Sequence, residues 1–305
     1  MNNLVSIIVP LYNQYHVTEQ CLDSIFKNTD LPYELILIDN GSTDATKEKI
    51  MHVDVSPYRW VKDVKIISNP ENLGVAKAWN QGIKSAEGEF FCLCNNDIVV
   101  SKNWLPPLIE KMRSNPNLGM VSPVDNVYIM SYPHRFPEED TFLRARFPFE
   151  PTLESIDRFY DGFEKFAESF AEKHKSESYF HVSFSLVIIR KTLIEEIGLF
   201  EEGLGIAFWE DVDFVQRALL HETLSEMMVY PGSYVHHHGS VTSSLFGMPQ
   251  LIRSADRFSM KWGNVGNSIT EKLAQGLINK DNLPQLRAEY RPLLPFLTNN
   301  EKPEE

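Results

Sequence analysis

Val5-Ser6-Ile7-Ile8-Val9-Pro10-Leu11 and, one helix-length later, Glu34-Leu35-Ile36-Leu37-Ile38-Asp39-Asn40-Gly41 decide the fold. Both are aliphatic and largely β-branched runs without polar alternation, the pattern of a strand covered on both faces. Between them, Val17–Phe26 sets Cys21, Leu22, Ile25 and Phe26 at helical spacing. Strand, helix, strand is a βαβ unit, and its strands are expected to be parallel. The alternation continues outward. Asp44 can cap a helix through Ile50, Val64–Ser68 reads as a strand, Val75–Ala86 as a helix, and Phe90–Cys94 as a strand ending at Asn95-Asn96-Asp97. Trp104–Met112 is a further helix, Met120–Pro123 and Val182–Ile189 are strands, and Lys191–Ile197 is a helix stopped by Gly198. The expectation is an α/β fold with a mostly parallel sheet flanked by helices.

The style changes at 131–180, which holds 12 of the chain's 35 Phe, Trp and Tyr residues. Ile156, Phe159, Tyr160, Phe163, Phe166 and Phe170 follow i, i+3, i+4, i+7 spacing, so 154–174 reads as one amphipathic helix. The plain reading is a helix docking its apolar face on the main body; the sharper one is a lid or partner surface beside the site. From about Met248, Leu251, Ile252, Ala255 and Phe258 return to helical spacing, and helical residues run on from Ile269 to Tyr290. The Pro-rich acidic end at 292–305 reads as a frayed terminus. The expected organisation is a main domain over 1–263, carrying the helical insertion 131–180, and a helical C-terminal extension over 264–305.

With 43% hydrophobic and 23% charged residues among 305, the chain has a globular composition. Its 29 basic and 42 acidic residues give a net charge of -13. Such a surface repels phosphate backbones, so no nucleic-acid partner is expected. Cys21, Cys92 and Cys94 cannot form a disulfide framework, and their spacing is not that of a zinc site. Buried, reduced thiols are expected. The opening residues lack a basic segment, and no apolar run approaches the roughly 20 residues needed to span a bilayer. A cytoplasmic location is the expectation.

In a parallel sheet, ligands bind beyond the carboxyl ends of the strands. Pro10, Tyr12 and Asn13 follow the first strand, Asp39-Asn40-Gly41-Ser42 and Asp44 the second, and Asn95-Asn96-Asp97 the strand at 90–94. Neither GxGxxG nor GxxxxGK[ST] is present, which excludes the ordinary dinucleotide and P-loop readings. Asp39 could reach a ribose hydroxyl or a pyrimidine imino N–H, and its segment reads equally as a turn. Asp97 stands alone beside amides, a thin ligand set for Mg²⁺ or Mn²⁺ unless substrate phosphates complete it; a polar strand-end turn is the other reading. Glu210-Asp211, after Phe208-Trp209, falls where a helix starts and its dipole favours acids. A partly desolvated carboxylate there is also a candidate general base. His236-His237-His238 would alternate on a strand, so His236 and His238 share a face that His237 does not.

Together these strings resemble the family 2 glycosyltransferases of the GT-A fold, in order across about 1–263. Val5–Asn13 resembles that family's opening strand, and Ile38-Asp39-Asn40-Gly41-Ser42-Thr43-Asp44 its nucleotide-base site. Asn72-Leu73-Gly74-Val75-Ala76-Lys77-Ala78-Trp79-Asn80 resembles its Asn-x-Gly-x-x-x-Ala-x-Asn segment, and Asn95-Asn96-Asp97 its Asp-x-Asp metal and diphosphate motif. Gly198–Glu202 through Trp209–Asp213 resembles its Gly-x-Phe-Asp-Glu to Glu-Asp block; Val235-His236 and Lys261-Trp262-Gly263 match later landmarks. The resemblance implies an inverting transfer from a nucleoside-diphosphate sugar to an acceptor hydroxyl, in bacterial polysaccharide or glycoconjugate synthesis. Pro10, Tyr12, Asn13 and Asp39 would surround base and ribose, with Asn72, Gly74, Asn80, Asn95 and Asn96 completing the nucleotide site. Asp97 and His236, with His238 as the alternative, would hold Mn²⁺ or Mg²⁺. Asp211 would deprotonate the acceptor, and Trp209 and Glu210 would shape its pocket.

The implied partners are a UDP-, GDP- or dTDP-linked sugar and a carbohydrate or glycolipid acceptor, with a peripheral membrane contact and a homodimer left open. The departure lies in the metal motif, where Asn95 and Asn96 replace carboxylates. Amides bring no charge, so metal affinity without substrate is expected to be low. Two other readings stand beside this one. A sugar nucleotidyltransferase would carry a Gly-rich basic loop after the first strand, where Leu-Tyr-Asn-Gln-Tyr-His stands instead. A non-catalytic nucleotide-sugar-binding module is supported only by the Asn95-Asn96 pair.

Overall fold

The structure is a computed structural model that describes residues 4–146, 153–239 and 247–290. The expected frayed end at 292–305 lies outside the described residues. Strand β1 (Val5–Leu11), helix α1 (Tyr15–Asn28) and strand β2 (Tyr33–Asn40) form the opening unit. The two strands are parallel, with Val5 opposite Tyr33 and Leu11 opposite Asp39. Next come α2 (Thr46–Ile50), β3 (Val61–Asn69), α3 (Val75–Ser85), β4 (Phe90–Cys94), β5 (Ile98–Val100), α4 (Leu105–Ser114) and β6 (Leu118–Asp125). α5 (Asn126–Ser131) leads into the insertion, which supplies α6 (Pro137–Arg144), α7 (Leu153–Tyr160) and α8 (Phe163–His174). The chain then forms β7 (Leu186–Arg190), α9 (Lys191–Ile197), α10 (Glu210–Leu220), β8 (Glu226–His237), α11 (Gly247–Ala274) and α12 (Leu283–Tyr290).

One eight-stranded sheet runs in the order β3-β2-β1-β4-β7-β6-β8-β5. β3, β2, β1 and β4 are parallel, as are β6 and β8. β7 runs antiparallel to both β4 and β6, and β5 antiparallel to β8. The mostly parallel sheet is therefore present, but the strand expected over Val182–Ile189 begins at Leu186 and runs against its neighbours. That reversal brings the start of β7 to the edge where the parallel strands end. Fully buried aliphatic residues of β1 and β2 alternate between two cores. Ile8, Ile36 and Ile38 face α3, α10 and the C-terminal helices, while Ile7, Val9, Leu35 and Leu37 face α1 and α4.

The single helix expected over 154–174 is two. Asp161 and Gly162 take φ of 55° and 103°, which ends α7, and the Asp157 carboxylate then accepts the Phe163 N–H at 3.1 Å to cap α8. Periodicity survives the break because Ile156, Phe159, Tyr160, Phe163 and Phe170 bury on one cluster with Val99 of β5 and Val229 and Tyr234 of β8. The insertion thus docks on the sheet's β5–β8 end. α11 bends at Gly263, whose φ is 56°, and α11 and α12 add Phe258, Trp262, Ile269, Leu283 and Leu286 to the first core. Among the described residues no helix is long and apolar enough to cross a membrane.

Glu34, 1% exposed at the start of β2, ties three elements together. Its Oε1 accepts the Ser6 hydroxyl at 2.6 Å and the Glu87 N–H at 2.5 Å, and its Oε2 lies 2.8 Å from Lys65 Nζ. Burial alone would raise the Glu34 carboxyl, but the Lys65 ammonium and the Ser6 hydroxyl bind the ionised form more strongly, and the net shift is downward. A depressed carboxyl contributes stability above its unfolded value and loses it as pH falls toward the folded one. Glu34→Gln is therefore expected to cost about 1–3 kcal/mol at neutral pH. Urea titrations should show that gap closing below about pH 4.

Candidate active site

The carboxyl ends of β1, β2 and β4 and the start of β7 open on one cavity of about 600 Å³. Pro10, Tyr12, Asn72, Asn95, Asn96 and Asp97 line one part of it, and Trp209, Glu210 and Asp211 another. Residues nearly 200 positions apart are thus brought to one space, as the strand-end rule requires.

Asp97 turns the chain from β4 into β5, and β5 pairs with β8 so that Ile98 stands opposite His237. This pairing carries the His237 imidazole to the Asp97 carboxylate, Nε2 to Oδ1 at 3.2 Å, while the His238 N–H donates to the Asp97 carbonyl at 3.0 Å. Burial would raise the Asp97 carboxyl, but the His237 charge holds it below the usual range. For His237 burial acts downward, and the Asp97 carboxylate overrides it to raise the imidazole to about 9. Asn126, first residue of α5, fixes His237 from the other side. Its Oδ1 accepts the His237 N–H at 2.7 Å and its Nδ2 donates to the His237 carbonyl at 2.9 Å.

Phe208 and Trp209 both take φ of 74°, unusual for bulky residues, and the second of these turns starts α10 with Glu210 and Asp211 in its first turn. The Trp209 ring rests on Phe258, centroids 4.8 Å apart. Burial and the neighbouring Asp211 raise the Glu210 carboxyl to about 8. Burial also raises Asp211, against the pull of the Val212 N–H that donates to its Oδ1 at 2.8 Å. Asp213 anchors this turn. It is fully buried and receives Arg217 Nε at 2.9 Å, Lys261 Nζ at 2.8 Å and Trp262 Nε1 at 2.8 Å.

Several expected site residues serve the frame instead of facing the cavity. Asn13 Oδ1 accepts the Thr43 N–H at 2.7 Å, stitching the β1 and β2 loops. Asp39 is fully buried; its Oδ1 accepts the Ser42 N–H at 2.9 Å, and among the described residues its Oδ2 has no hydrogen-bond partner. Gly74, with φ of 91°, packs backbone to backbone on Ile206, where a Cβ would meet the Ile206 Cα at 2.9 Å. Asn80 lies behind the wall, its Nδ2 donating to the Phe200 carbonyl at 2.9 Å and to Glu202 Oε1 at 2.8 Å while its Oδ1 accepts the Phe200 N–H at 3.0 Å. The expectation that His236 stands beside Asp97 is corrected. His236 points into the insertion's aromatic cluster, with Nδ1 2.8 Å from the Tyr160 hydroxyl, and strand alternation gives the cavity to His237. His238 shares that other face, 5.1 Å from the His236 ring.

Sequence reading named Asn40 at a strand end and His237 on its own strand face without giving either a role, and it missed Asp125, Asn126, Ser183 and Ser185. Asn40 accepts from Asn69 Nδ2 at 3.0 Å and the Leu73 N–H at 3.1 Å, and donates to Asn72 Oδ1 at 3.0 Å, tying the ends of β2 and β3 to the loop before α3. Asp125 ends β6 and was open to the same strand-end argument as Asp39. The serines gave no signal, because only an antiparallel β7 turns its beginning toward the site.

A model of the Glycosyl transferase family 2 matches residues 6–198. The chain is 31% identical over 113 residues to the glycosyltransferase GlyG of Streptococcus pneumoniae serotype 4, covering 37% of this chain and 36% of that protein. It is 32% identical over 112 residues to the Escherichia coli UDP-Glc:alpha-D-GlcNAc-diphosphoundecaprenol beta-1,3-glucosyltransferase WfgD, covering 37% and 42%. The chain thus spans well under half the length of these relatives. In fold it is similar to the mannosyltransferase PcManGT from Pyrobaculum calidifontis in complex with GDP-Man and Mn²⁺, with a TM-score of 0.53 at 15% identity over 96% of this chain and 81% of that one. It is likewise similar to S. aureus TarS 1-349, with a TM-score of 0.54 at 16% identity over 98% and 75%. These likenesses establish the GT-A fold.

Because Asn80 joins α3 to the loop before the 3-10 turn at Glu202–Leu204 without lining the cavity, Asn80→Ala is expected to act on stability. Loss of its bonds to buried backbone should cost about 2–3 kcal/mol, read as a lower Tm in thermal unfolding.

Proposed function

The chain belongs to glycosyltransferase family 2, and from that premise we propose that it transfers a sugar, with inversion, from a nucleoside diphosphate to an acceptor hydroxyl. The observation that carries this reading is that Asp97 and Asp211, from separate halves of the sequence, line one cavity with Pro10 and Tyr12. Base and ribose would lie against Pro10, Tyr12 and the Asn40–Asn72 pair. The diphosphate would lie over Asp97 and His237. Asp211 would accept the proton of the acceptor hydroxyl as that oxygen attacks the anomeric carbon from the face opposite the leaving diphosphate. One C–O bond forms, one breaks, and the configuration inverts. A carboxylate whose proton affinity is raised by burial is better matched to this task than an ordinary aspartate. Trp209 supplies a ring face for the acceptor and Glu210 a carboxyl beside it.

Charge supports a divalent cation. Among the described residues the cavity lining includes Asp97, Asp125, Glu210 and Asp211 but no Lys or Arg, so an incoming diphosphate would meet His237 as the one titratable cation they offer. Asp97 and His237 fit the group: carboxylate and neutral imidazole are both Mn²⁺ donors, they converge within 3.2 Å, and the cation would take the place of the proton now held between them. Among the described residues no third His, Cys, Asp or Glu joins them, so diphosphate and water would complete the shell. Bound there, Mn²⁺ or Mg²⁺ would neutralise charge developing on the departing diphosphate. The acceptor class favoured is a carbohydrate or glycolipid. A cytoplasmic setting agrees with three free, buried cysteines.

Asp211→Asn separates this reading from a binding module. Transfer should fall by about 10²–10⁴-fold while calorimetry shows nucleoside-diphosphate affinity little changed. Unaltered turnover in the variant, or no turnover of any donor by the parent, favours the module. The acid limb of kcat/KM should lie above the usual Asp value of about 4, with activity rising as pH carries Asp211 through its raised pKa. Mn²⁺ titrated alone should bind weakly and tighten once the nucleoside diphosphate is present. Tight binding to the bare protein would contradict the two-donor site.

A further inference from the structure

Asp125 lines the cavity at 1% exposure and has no part in the chemistry above. Its Oδ1 accepts the Tyr128 N–H at 2.6 Å, capping α5. Its Oδ2 accepts two hydroxyls, Ser185 Oγ at 2.5 Å and Ser183 Oγ at 3.2 Å, and the serine oxygens stand 3.0 Å apart. Both serines also line the cavity. They belong to the chain entering β7, which only the antiparallel run of that strand brings here.

Neighbouring bonds locate the array. The Ser185 carbonyl accepts the Asn95 N–H at 3.0 Å, and Asn126, next in chain to Asp125, clamps both backbone groups of His237. The array therefore sits between the Asn95 loop and His237, adjoining the place read for the diphosphate. Its chemistry is one-sided. With both serine protons directed at the carboxylate, what remains toward the cavity is oxygen lone pairs and negative charge. Such a surface accepts hydrogen bonds from O–H and N–H groups and repels phosphate and carboxylate. The diphosphate cannot be what it faces.

We propose that Asp125, Ser183 and Ser185 form the subsite for the transferred sugar, accepting hydrogen bonds from its ring hydroxyls or amino substituent and selecting neutral or amino sugars over uronic acids. This rests on the nucleotide-sugar reading and adds the class of sugar. Like-charge rejection supplies the discrimination, since a uronate carboxylate would be desolvated against Asp125.

The test is calorimetry on the full chain with Mn²⁺, first with UDP, GDP and dTDP, then with the glucose, N-acetylglucosamine and glucuronate conjugates of the base that binds. The parent should bind a neutral or N-acetylated conjugate at least about tenfold more tightly than the glucuronate. Ser185→Ala should weaken the favoured conjugate by about tenfold and leave the bare diphosphate within about twofold. Asp125→Asn should narrow the gap to the glucuronate, and Ser185→Ala carries the test alone if that variant does not fold. Preference for the glucuronate, conjugates no tighter than the diphosphate, or equal changes for conjugate and diphosphate in Ser185→Ala would each overturn the subsite. Failure of all three diphosphates to bind would instead overturn the nucleotide-sugar reading, and the subsite with it.

Discussion

The contact between Asp97 and His237 is the constraint on which the cavity depends. A carboxylate buried this deeply stays ionised only with a compensating cation, and the imidazole 3.2 Å away is that cation. The pair is long-range in sequence, so it forms only when β5 and β8 have paired antiparallel in a single register. A slip of one residue would present His236 or His238 instead and send His237 into the aromatic cluster. Asn126 and the His238-to-Asp97 backbone bond protect that register from both sides. The insertion protects it again from behind, where the Tyr160 hydroxyl holds His236 on the opposite face.

The other wall obeys a matching logic. Two bulky residues in succession at positive φ are costly, and such a turn persists only if its surroundings over-determine it. Those surroundings are Asp213 and its three donors on α10 and α11, the Trp209–Phe258 stack, and the Val75 N–H bonded to the Ile206 carbonyl at 2.8 Å. Lys261 reaches both Asp213 and Glu201, so α11 ties the segment before the turn to the segment after it. The C-terminal helices thereby set the position of Asp211, and α11 also gives Leu251 and Thr270 to the cavity lining.

Much of this was legible in the chain. Buried aliphatic runs separated by helical spacing announce parallel strands, and polar residues at their ends announce a site; Pro10, Tyr12, Asn95 and Asp97 follow from that rule, and Asp211 from the acidic pair after Phe208-Trp209 at a helix start. The failures have physical causes. Periodicity cannot see the break at Asp161-Gly162, because both halves of 154–174 bury on the same cluster and keep the spacing in phase. Strand direction is not written in composition, so the reversal of β7 hid Ser183 and Ser185. Alternation correctly separated His237 from its neighbours, but which face looks at Asp97 is decided by β5, a three-residue strand too short for any pattern. Asn13 and Asn80 show the converse, where residues matching a functional string spend their hydrogen bonds on loops.

Four acids in one cavity would be unworkable if all were ionised alike, and their surroundings make them different. Asp97 is held ionised by an imidazole. Asp125 is occupied by two hydroxyls and a backbone N–H. Glu210 and Asp211 are neighbours in one helical turn, and two close carboxyls resist ionising together. Burial pushes both carboxyls upward, so the turn favours one proton held between them, and the proposed base role gives the ionised carboxylate to Asp211. The division follows the reaction coordinate read for the cavity. Under the proposed reading the Asp125 array would face the sugar, the paired Asp97 would lie under the diphosphate, and Glu210 and Asp211 would face the incoming hydroxyl. On that reading a single acidic surface would separate four tasks through burial and partners alone.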